Sequence, residues 1–200
     1  MPAEIRELEE HEMPEPMLLT KEERQKTRTL YQTAFSEDSQ KFVDFYYEYK
    51  IRDNQIYALW EDEQYVSMVH LNPYTMIVNG YEVLSNYIVA VATLKNYRHR
   101  GYMRLLLETA LRQMAADKMP FTFLMPASES IYTPFDFVWI SPFTELPMRG
   151  THLDADGQNR YLAARYQLFC KRDARYMENL KAEHLAEVGE PPMDEIPPFM

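Results

Sequence analysis

Met103, Leu106, Leu107, Ala110, Leu111 and Met114 fall at i, i+3, i+4, i+7, i+8 and i+11. That spacing puts them on one apolar stripe of an α-helix. A β-rich run, Tyr81 to Thr93, comes before this helix, and an apolar run, Phe121 to Met125, follows Pro120 at its end. Strand, polar turn, helix and buried strand in that order make a crossover. The unit commits the chain to a sheet with helices packed on it.

The rest of the pattern fits around this unit. Thr20 with Glu23 makes a capping box, which predicts a helix from about Lys21 to Phe35. Asp38 or Ser39 is placed to cap a second helix reaching about Lys50, with Phe42, Val43, Phe45, Tyr46 and Tyr49 on its apolar face. Asp53-Asn54 stops it. Strands are expected over Gln55–Trp60, Tyr65–Leu71, Tyr74–Val78 and Tyr81–Thr93. Asn79-Gly80 between the last two is a two-residue hairpin signal, because both positions of that turn need φ > 0. Past the periodic helix, Ser128 to Phe135 reads as a short helix or turn, and Phe137–Ile140 and Phe143–Met148 as strands. A final helix runs from past Asp154 to about Glu187, broken near Cys170 to Asp173. The fold class is α/β (α+β), a mixed and mostly antiparallel sheet flanked by helices.

The two ends differ from this middle. Residues 1–16 carry six Glu and few apolar residues, which reads as a flexible acidic arm over 1–15. Residues 189–200 hold four prolines, a density that excludes helix and central strand. They read as an extended tail.

Composition narrows the partners. In 200 residues, 31 Asp and Glu against 21 Lys and Arg leave a net charge of -10. Nucleic acid and anionic membranes are drawn to positive charge, so neither is expected as a partner. A cationic substrate is compatible. No apolar run approaches the roughly 20 residues of a membrane helix, and the acidic N-terminus lacks the apolar segment of a signal peptide. The expectation is a soluble cytoplasmic protein. Cys170 is the single cysteine, so no intramolecular disulfide forms. Its apolar neighbours Tyr166, Leu168 and Phe169 make it a small buried hydrophobe rather than a nucleophile. The five histidines have no metal-binding spacing, and no zinc site is expected. No serine stands in a G-x-S-x-G elbow.

The turn that opens the periodic helix carries the chemistry. It reads Val89-Ala90-Val91-Ala92-Thr93-Leu94-Lys95-Asn96-Tyr97-Arg98-His99-Arg100-Gly101-Tyr102-Met103. Gly101 can adopt φ > 0 or let a ligand approach the backbone closely. The unpaired N–H groups of a first helical turn make an anion site. Arg98 and Arg100 add fork-shaped donors for phosphate. The turn is therefore built like a pyrophosphate cradle. On spacing alone, an ordinary strand–loop–helix connection with two arginines accounts for the same residues.

Arg98-His99-Arg100-Gly101-Tyr102-Met103 resembles the acetyl-CoA motif of the GNAT N-acetyltransferases, Q/R-x-x-G-x-G/A, and the element order from about Pro16 to Met148 matches that fold. Ala127-Ser128-Glu129-Ser130-Ile131-Tyr132-Thr133-Pro134-Phe135-Asp136-Phe137 is similar to the A-S-E-x-x-I-Y-x-x-[FY]-G-[FY] stretch of the Eis-like branch (enhanced intracellular survival protein). Met103 stands where the family has a small residue, and Asp136 where it has glycine.

The resemblance implies a GNAT domain over 16–150 that uses acetyl-CoA as cosubstrate. It implies that Val91, Ala92 and Thr93 lend backbone groups to the pantetheine and the thioester carbonyl. Arg98, His99, Arg100, Gly101, Tyr102 and Met103 would hold the pyrophosphate, and Ser128 would lie near the cofactor. Tyr132 matches the tyrosine that protonates the departing thiolate. Acyl transfer to an amine needs a base, donors for the developing oxyanion, and an acid at the leaving group; a tyrosine on a short helix can supply the acid. Tyr132 is also one of 15 tyrosines and can simply pack. In the Eis-like branch the base is the terminal carboxylate of a third domain. This chain has no room for that domain, so Glu129, His70, Glu82 and the carboxylate of Met200 stand as substitutes.

Residues 151–188 resemble the opening helices of the second GNAT-like domain of that branch, and 189–200 the junction beyond it. The chain is then either an abbreviated member or a fragment. Tyr46, Tyr47 and Tyr49 belong to the core or line an acceptor pocket. The leading expectation is N-acetylation of a primary amine, on a small-molecule or lysine-like acceptor, by a homo-oligomer associating through the Asp154 to Glu187 helices. The alternative is a non-catalytic acyl-CoA-binding or assembly module of the same fold. A third possibility is a non-functional fragment with exposed apolar helices.

Overall fold

The computed structural model describes residues 13–141 and 154–187. The strand expected over 143–148, most of the acidic arm and the proline-rich tail lie outside the described residues.

Strand β1 (Met17–Leu18) leads into α1 (Lys21–Arg24), which continues through a 3-10 turn, Gln25–Thr27, into α2 (Arg28–Ala34). The capping box forms, with the Thr20 amide donating to the Glu23 carboxylate at 3.0 Å. Ser39, the second of the two expected caps, starts α3 (Gln40–Glu48) and accepts from the Phe42 amide at 3.1 Å. A 3-10 turn, Lys50–Arg52, then delivers the chain to β2 (Gln55–Glu61).

The two strands expected over 65–78 form one continuous strand, β3 (Gln64–Val78), which passes straight through Pro73. It hairpins through Asn79 (φ 50°) and Gly80 (φ 86°) into β4 (Tyr81–Thr93). The sheet order is β1-β2-β3-β4, all antiparallel. Alternate residues of the central strands face opposite layers. Ile56, Ala58, Met68, Ala90 and Ala92 pack on α2 and α3 through Leu30, Tyr31, Val43 and Tyr46. Tyr57, Leu59, Val69, Leu71 and Ile88 pack on α4 (Tyr102–Ala116) through Leu106, Leu107, Ala110 and Met114. The stripe read from the sequence is thus the buried face of α4, with Leu111 partly buried at its edge.

Three further expectations change. Phe121 to Leu124 is partly buried and Met125 exposed, and the run forms a single parallel bridge, Phe123 to Tyr87, in place of a full strand. Beyond this bridge the run leaves β4, so the two diverge. Phe137 to Ile140 is not a strand, and Val138, Trp139 and Ile140 are exposed. The helix expected from past Asp154 to about Glu187, broken near Cys170 to Asp173, is two helices, α6 (Ala155–Ala163) and α7 (Ala174–Glu187), and the break is wider than expected and holds a strand, β5 (Leu168–Cys170). Strand β2 pairs with β3 only as far as Leu71, and β5 takes the same edge of β3 at Met76 to Val78. Free backbone donors and acceptors on that edge make the strand conformation favourable for a three-residue segment. Cys170 is buried, now in a strand, and burial pushes its thiol up to about 11.

Helix α5 (Glu129–Tyr132) and the 3-10 turn Thr133–Phe135 follow the diverging run. Asp136, which ends this turn, sits at φ 62° and ψ 20°, the left-handed conformation that glycine adopts most readily. Helix α7 packs on α3, with Ala182 and Ala186 against the core on that side of the sheet.

Candidate active site

Strand β4 carries a bulge. Met68 pairs with Ala92 and His70 with Val89, so Ala90 and Val91 together oppose Val69. Ala90 has φ 50°. A bulge leaves one residue out of the ladder and turns the strand, here just where Val91, Ala92 and Thr93 run to the sheet edge.

Beyond the strand end, Lys95–Tyr97 makes a 3-10 turn, and the chain then enters α4 through two left-handed residues, His99 (φ 65°) and Gly101 (φ 85°). A Cβ built on Gly101 would meet only the Met13 Cε atom, at 3.8 Å, so glycine is required here by φ and not by crowding. The first α4 bond runs from the Leu105 amide to the Gly101 carbonyl, 3.0 Å. The amides of Met103 and Arg104 precede it, in the first turn where an α-helix supplies no carbonyl partner. Two alternating left-handed residues and a helix start form a concave set of N–H groups suited to an anion.

The side chains around this turn divide the work. Arg98 is exposed, and its Nε donates to the Thr93 carbonyl at 3.1 Å. One donor thus ties the arginine to the strand end while the fork stays in solvent. Arg100 donates to Glu61 (3.2 Å) and to the Asn96 carbonyl (3.2 Å), and lies 4.9 Å over the Tyr97 ring. Tyr102 is buried and donates to the other Glu61 oxygen at 2.5 Å. Arg100 and Tyr102 therefore brace the turn against the end of β2. Met103 packs partly buried beside the α4 core.

The second motif lies beside the first. Tyr132 packs in the same core cluster as Met103 and Leu106, its ring 5.8 Å from Phe137. Arg104 lies 4.8 Å over the Phe135 ring, linking the start of α4 to the turn after α5. Burial raises the Tyr132 hydroxyl above its ordinary value. Ser128, at the start of α5, is exposed and shares a hydrogen bond with Ser130 at 2.9 Å.

Tyr87 carries no sequence signal, yet it stands at the mouth of the divergence. Its ring is 5.4 Å from Phe123, burial raises its hydroxyl, and it lies within electrostatic reach of Tyr132. Alternation along β4 could have assigned its face, but only pairing with β3 shows what that face meets.

The expected bases lie in different settings. His70 is fully buried, bonded through Nδ1 to the Tyr46 hydroxyl at 2.9 Å, and burial pushes it down to about 3. It stays neutral. Glu82 is paired with Lys171, and Glu129 is exposed in the first turn of α5. Met200 lies outside the described residues. Tyr46 and Tyr47 are core residues, and Tyr49 is partly buried under the Arg52 guanidinium at 4.6 Å. Among the described residues no group of His, Cys, Asp and Glu could hold a metal ion, and no helix is long and apolar enough to cross a membrane.

Residues 15–140 match a family model described as the acetyltransferase (GNAT) domain. Among solved structures, a conserved Enterococcus faecalis protein of unknown function, named there as a probable N-acyltransferase, is 18% identical at a TM-score of 0.65. The alignment covers 84% of this chain and 48% of that one, so this chain spans about half the length of that neighbour. A GNAT family acetyltransferase from Brucella melitensis in complex with acetyl-CoA is 16% identical, with 64% of this chain and 85% of that chain covered and a TM-score of 0.54. Glucosamine-6-phosphate N-acetyltransferase from Arabidopsis thaliana is 14% identical, with 66% and 97% covered and a TM-score of 0.51. At these identities the likeness is one of fold. No curated protein matches the chain.

Proposed function

This chain belongs to the GNAT acetyltransferase family, and we propose that it transfers an acetyl group from acetyl-CoA directly to a primary amine, with Tyr132 as general acid. The observation that carries the reading is the turn at Gly101. A left-handed glycine, a left-handed His99, the leading amides of α4 and the solvent-facing fork of Arg98 form a cradle whose donors match a pyrophosphate.

When bound, acetyl-CoA supplies the thioester acyl group. Arg98 and the amides of Gly101, Tyr102 and Met103 bind the pyrophosphate, with His99 and Arg100 shaping the loop. Val91, Ala92 and Thr93 offer backbone groups at the bulge, where a preorganised donor is worth most to an oxygen gaining charge. Ser128 lines the same side. Tyr132 keeps its proton at neutral pH, because burial raises its hydroxyl, and donates it to the leaving thiolate. The Eis-like likeness of 127–137 supports this role for Tyr132. A homo-oligomer remains part of the same proposal, as does location in the cytoplasm.

A second reading, a non-catalytic acyl-CoA-binding module, draws support from the bases: His70 is buried and neutral, and Glu82 is already paired. Calorimetric titration with acetyl-CoA, followed by an amine panel, tests both. Micromolar binding weakened by Arg98→Ala and by Gly101→Asp, with turnover lost in Tyr132→Phe, supports the enzyme. Binding without turnover supports the module. A folded protein that binds no acetyl-CoA sinks both.

A further inference from the structure

On the α3 side of the sheet, a cleft of about 120 Å³ opens between β3 and α7. Its walls include Lys50 from the 3-10 turn after α3, Asn72 and Tyr74 from β3, and Tyr176 and Glu183 from α7. Tyr176 and Glu183 are seven residues apart on α7 and share its face.

The charged groups at the rim are committed. Arg175 pairs with Asp53 at 2.5 Å, Lys171 with Glu82, and Asp173 accepts the Tyr176 amide at 2.7 Å. Two are not. Lys50 donates to the Tyr74 hydroxyl at 3.1 Å, which uses one of its three N–H groups. Glu183 is partly buried and feels the charge of Lys50, but among the described residues neither makes an ion pair. Burial raises the Glu183 carboxyl, as expected for a carboxylate short of partners.

Two neutral groups in the same walls also lack partners. The Asn72 Oδ1 atom is buried and unbonded on a residue 5% exposed, and the Tyr176 hydroxyl is buried and unbonded. Leaving such groups unpaired inside a protein is costly. The walls of the cleft thus hold acceptors (Glu183, Asn72 Oδ1) and donors (Lys50 Nζ, Tyr176 hydroxyl). An ammonium next to a carboxylate satisfies all four; a bare amine or a bare acid satisfies half.

The cleft is joined to the transfer site by a row of aromatic rings. Tyr74 lies 6.3 Å from Phe123, Phe123 lies 5.4 Å from Tyr87, and Tyr87 is within electrostatic reach of Tyr132. The row runs in the direction an aliphatic arm would take from the cleft toward Tyr132.

We propose that this cleft binds the far end of the acceptor, a zwitterionic head in which a carboxylate meets Lys50 and Tyr176 and an ammonium meets Glu183 and Asn72. The acceptor class is a free amino acid with a terminal amine, or a close analogue. The reacting end of this assignment rests on the acetyltransferase reading; the head site stands on its own polar groups.

Calorimetry without acetyl-CoA separates the two. The probes are L-lysine, cadaverine, which has no head, and Nα-acetyl-L-lysine amide, whose head is capped. L-Lysine is expected to bind at least tenfold tighter than either. Lys50→Gln and Glu183→Gln each remove that preference, with circular dichroism and denaturation midpoints showing both variants folded. Lys50→Arg keeps part of it. Equal affinity for the three probes, no binding of any probe to folded protein, or a preference that survives both variants overturns the proposal. Preferential lysine binding with no acetylation leaves the head site standing and overturns the acetyltransferase reading. Acetylation without head preference does the reverse.

Discussion

The Tyr102 hydroxyl donates to the Glu61 carboxylate at 2.5 Å, joining the first residue of α4 to the last residue of β2. The same carboxylate takes Arg100 at 3.2 Å on its other oxygen. The turn is therefore held from behind, through side chains. Replacing Glu61 by Gln weakens both bonds at once. The expected cost is about 1–3 kcal/mol in denaturant unfolding, with acetyl-CoA affinity reduced several-fold in calorimetry. A stability loss with unchanged affinity would show that the brace does not position the cradle.

Gly101→Ala isolates the backbone requirement. The added methyl has room, since only Met13 Cε lies near, but φ 85° penalises any Cβ. The expected loss is about 1–2 kcal/mol, read from denaturation midpoints. Gly80→Ala, in open space at φ 86°, is the control and loses a similar amount without touching acetyl-CoA binding.

Asp136 runs the same test in the opposite direction. It holds a left-handed conformation at φ 62° on an exposed turn. Asp136→Gly relieves up to about 1 kcal/mol and raises the midpoint. An unchanged or lower midpoint would mean that the aspartate side chain contributes to the turn.

His70 makes stability depend on acid. Its folded value is lowered by burial to about 3, against 6.5 for the free group. The unfolded chain therefore binds the extra proton between those limits. Stability is full above pH 6.5 and falls as pH drops from 6.5 toward 3. Denaturant midpoints measured across that window should fall more steeply for the wild type than for His70→Gln.

As the proposed general acid, Tyr132 would make activity depend on base. An acid with a raised value stays protonated through neutral pH and is lost only on the alkaline side. Tyr132→Phe is expected to lower kcat about 100-fold with little change in KM, and to abolish the alkaline limb of the pH–rate profile. An alkaline limb that persists in Tyr132→Phe assigns the acid elsewhere.

Local rules made much of this legible. The Thr20–Glu23 capping box, the Ser39 cap, the Asn79-Gly80 turn, the apolar stripe of α4 and the strand–turn–helix at Gly101 all depend on residues within a few positions of one another. Each formed as its spacing predicts. The failures share one cause. Phe121 to Met125 has the composition of a buried strand, yet β4 bends at Ala90 and Val91 and meets it at one bridge. Leu168 to Cys170 reads as helix until the vacant edge of β3 offers its hydrogen bonds.

The candidate site divides along the same line. By itself the sequence determined the cradle, because a left-handed glycine at a helix start is a local conformational demand. Only the tertiary structure decided that Arg100 and Tyr102 brace against Glu61 and that Tyr87 packs against Phe123. It alone brought Lys50 and Asn72 to face Glu183 across a cleft. Those relationships join residues far apart in the chain, and they arise from how strands pair and helices dock, which no local spacing encodes.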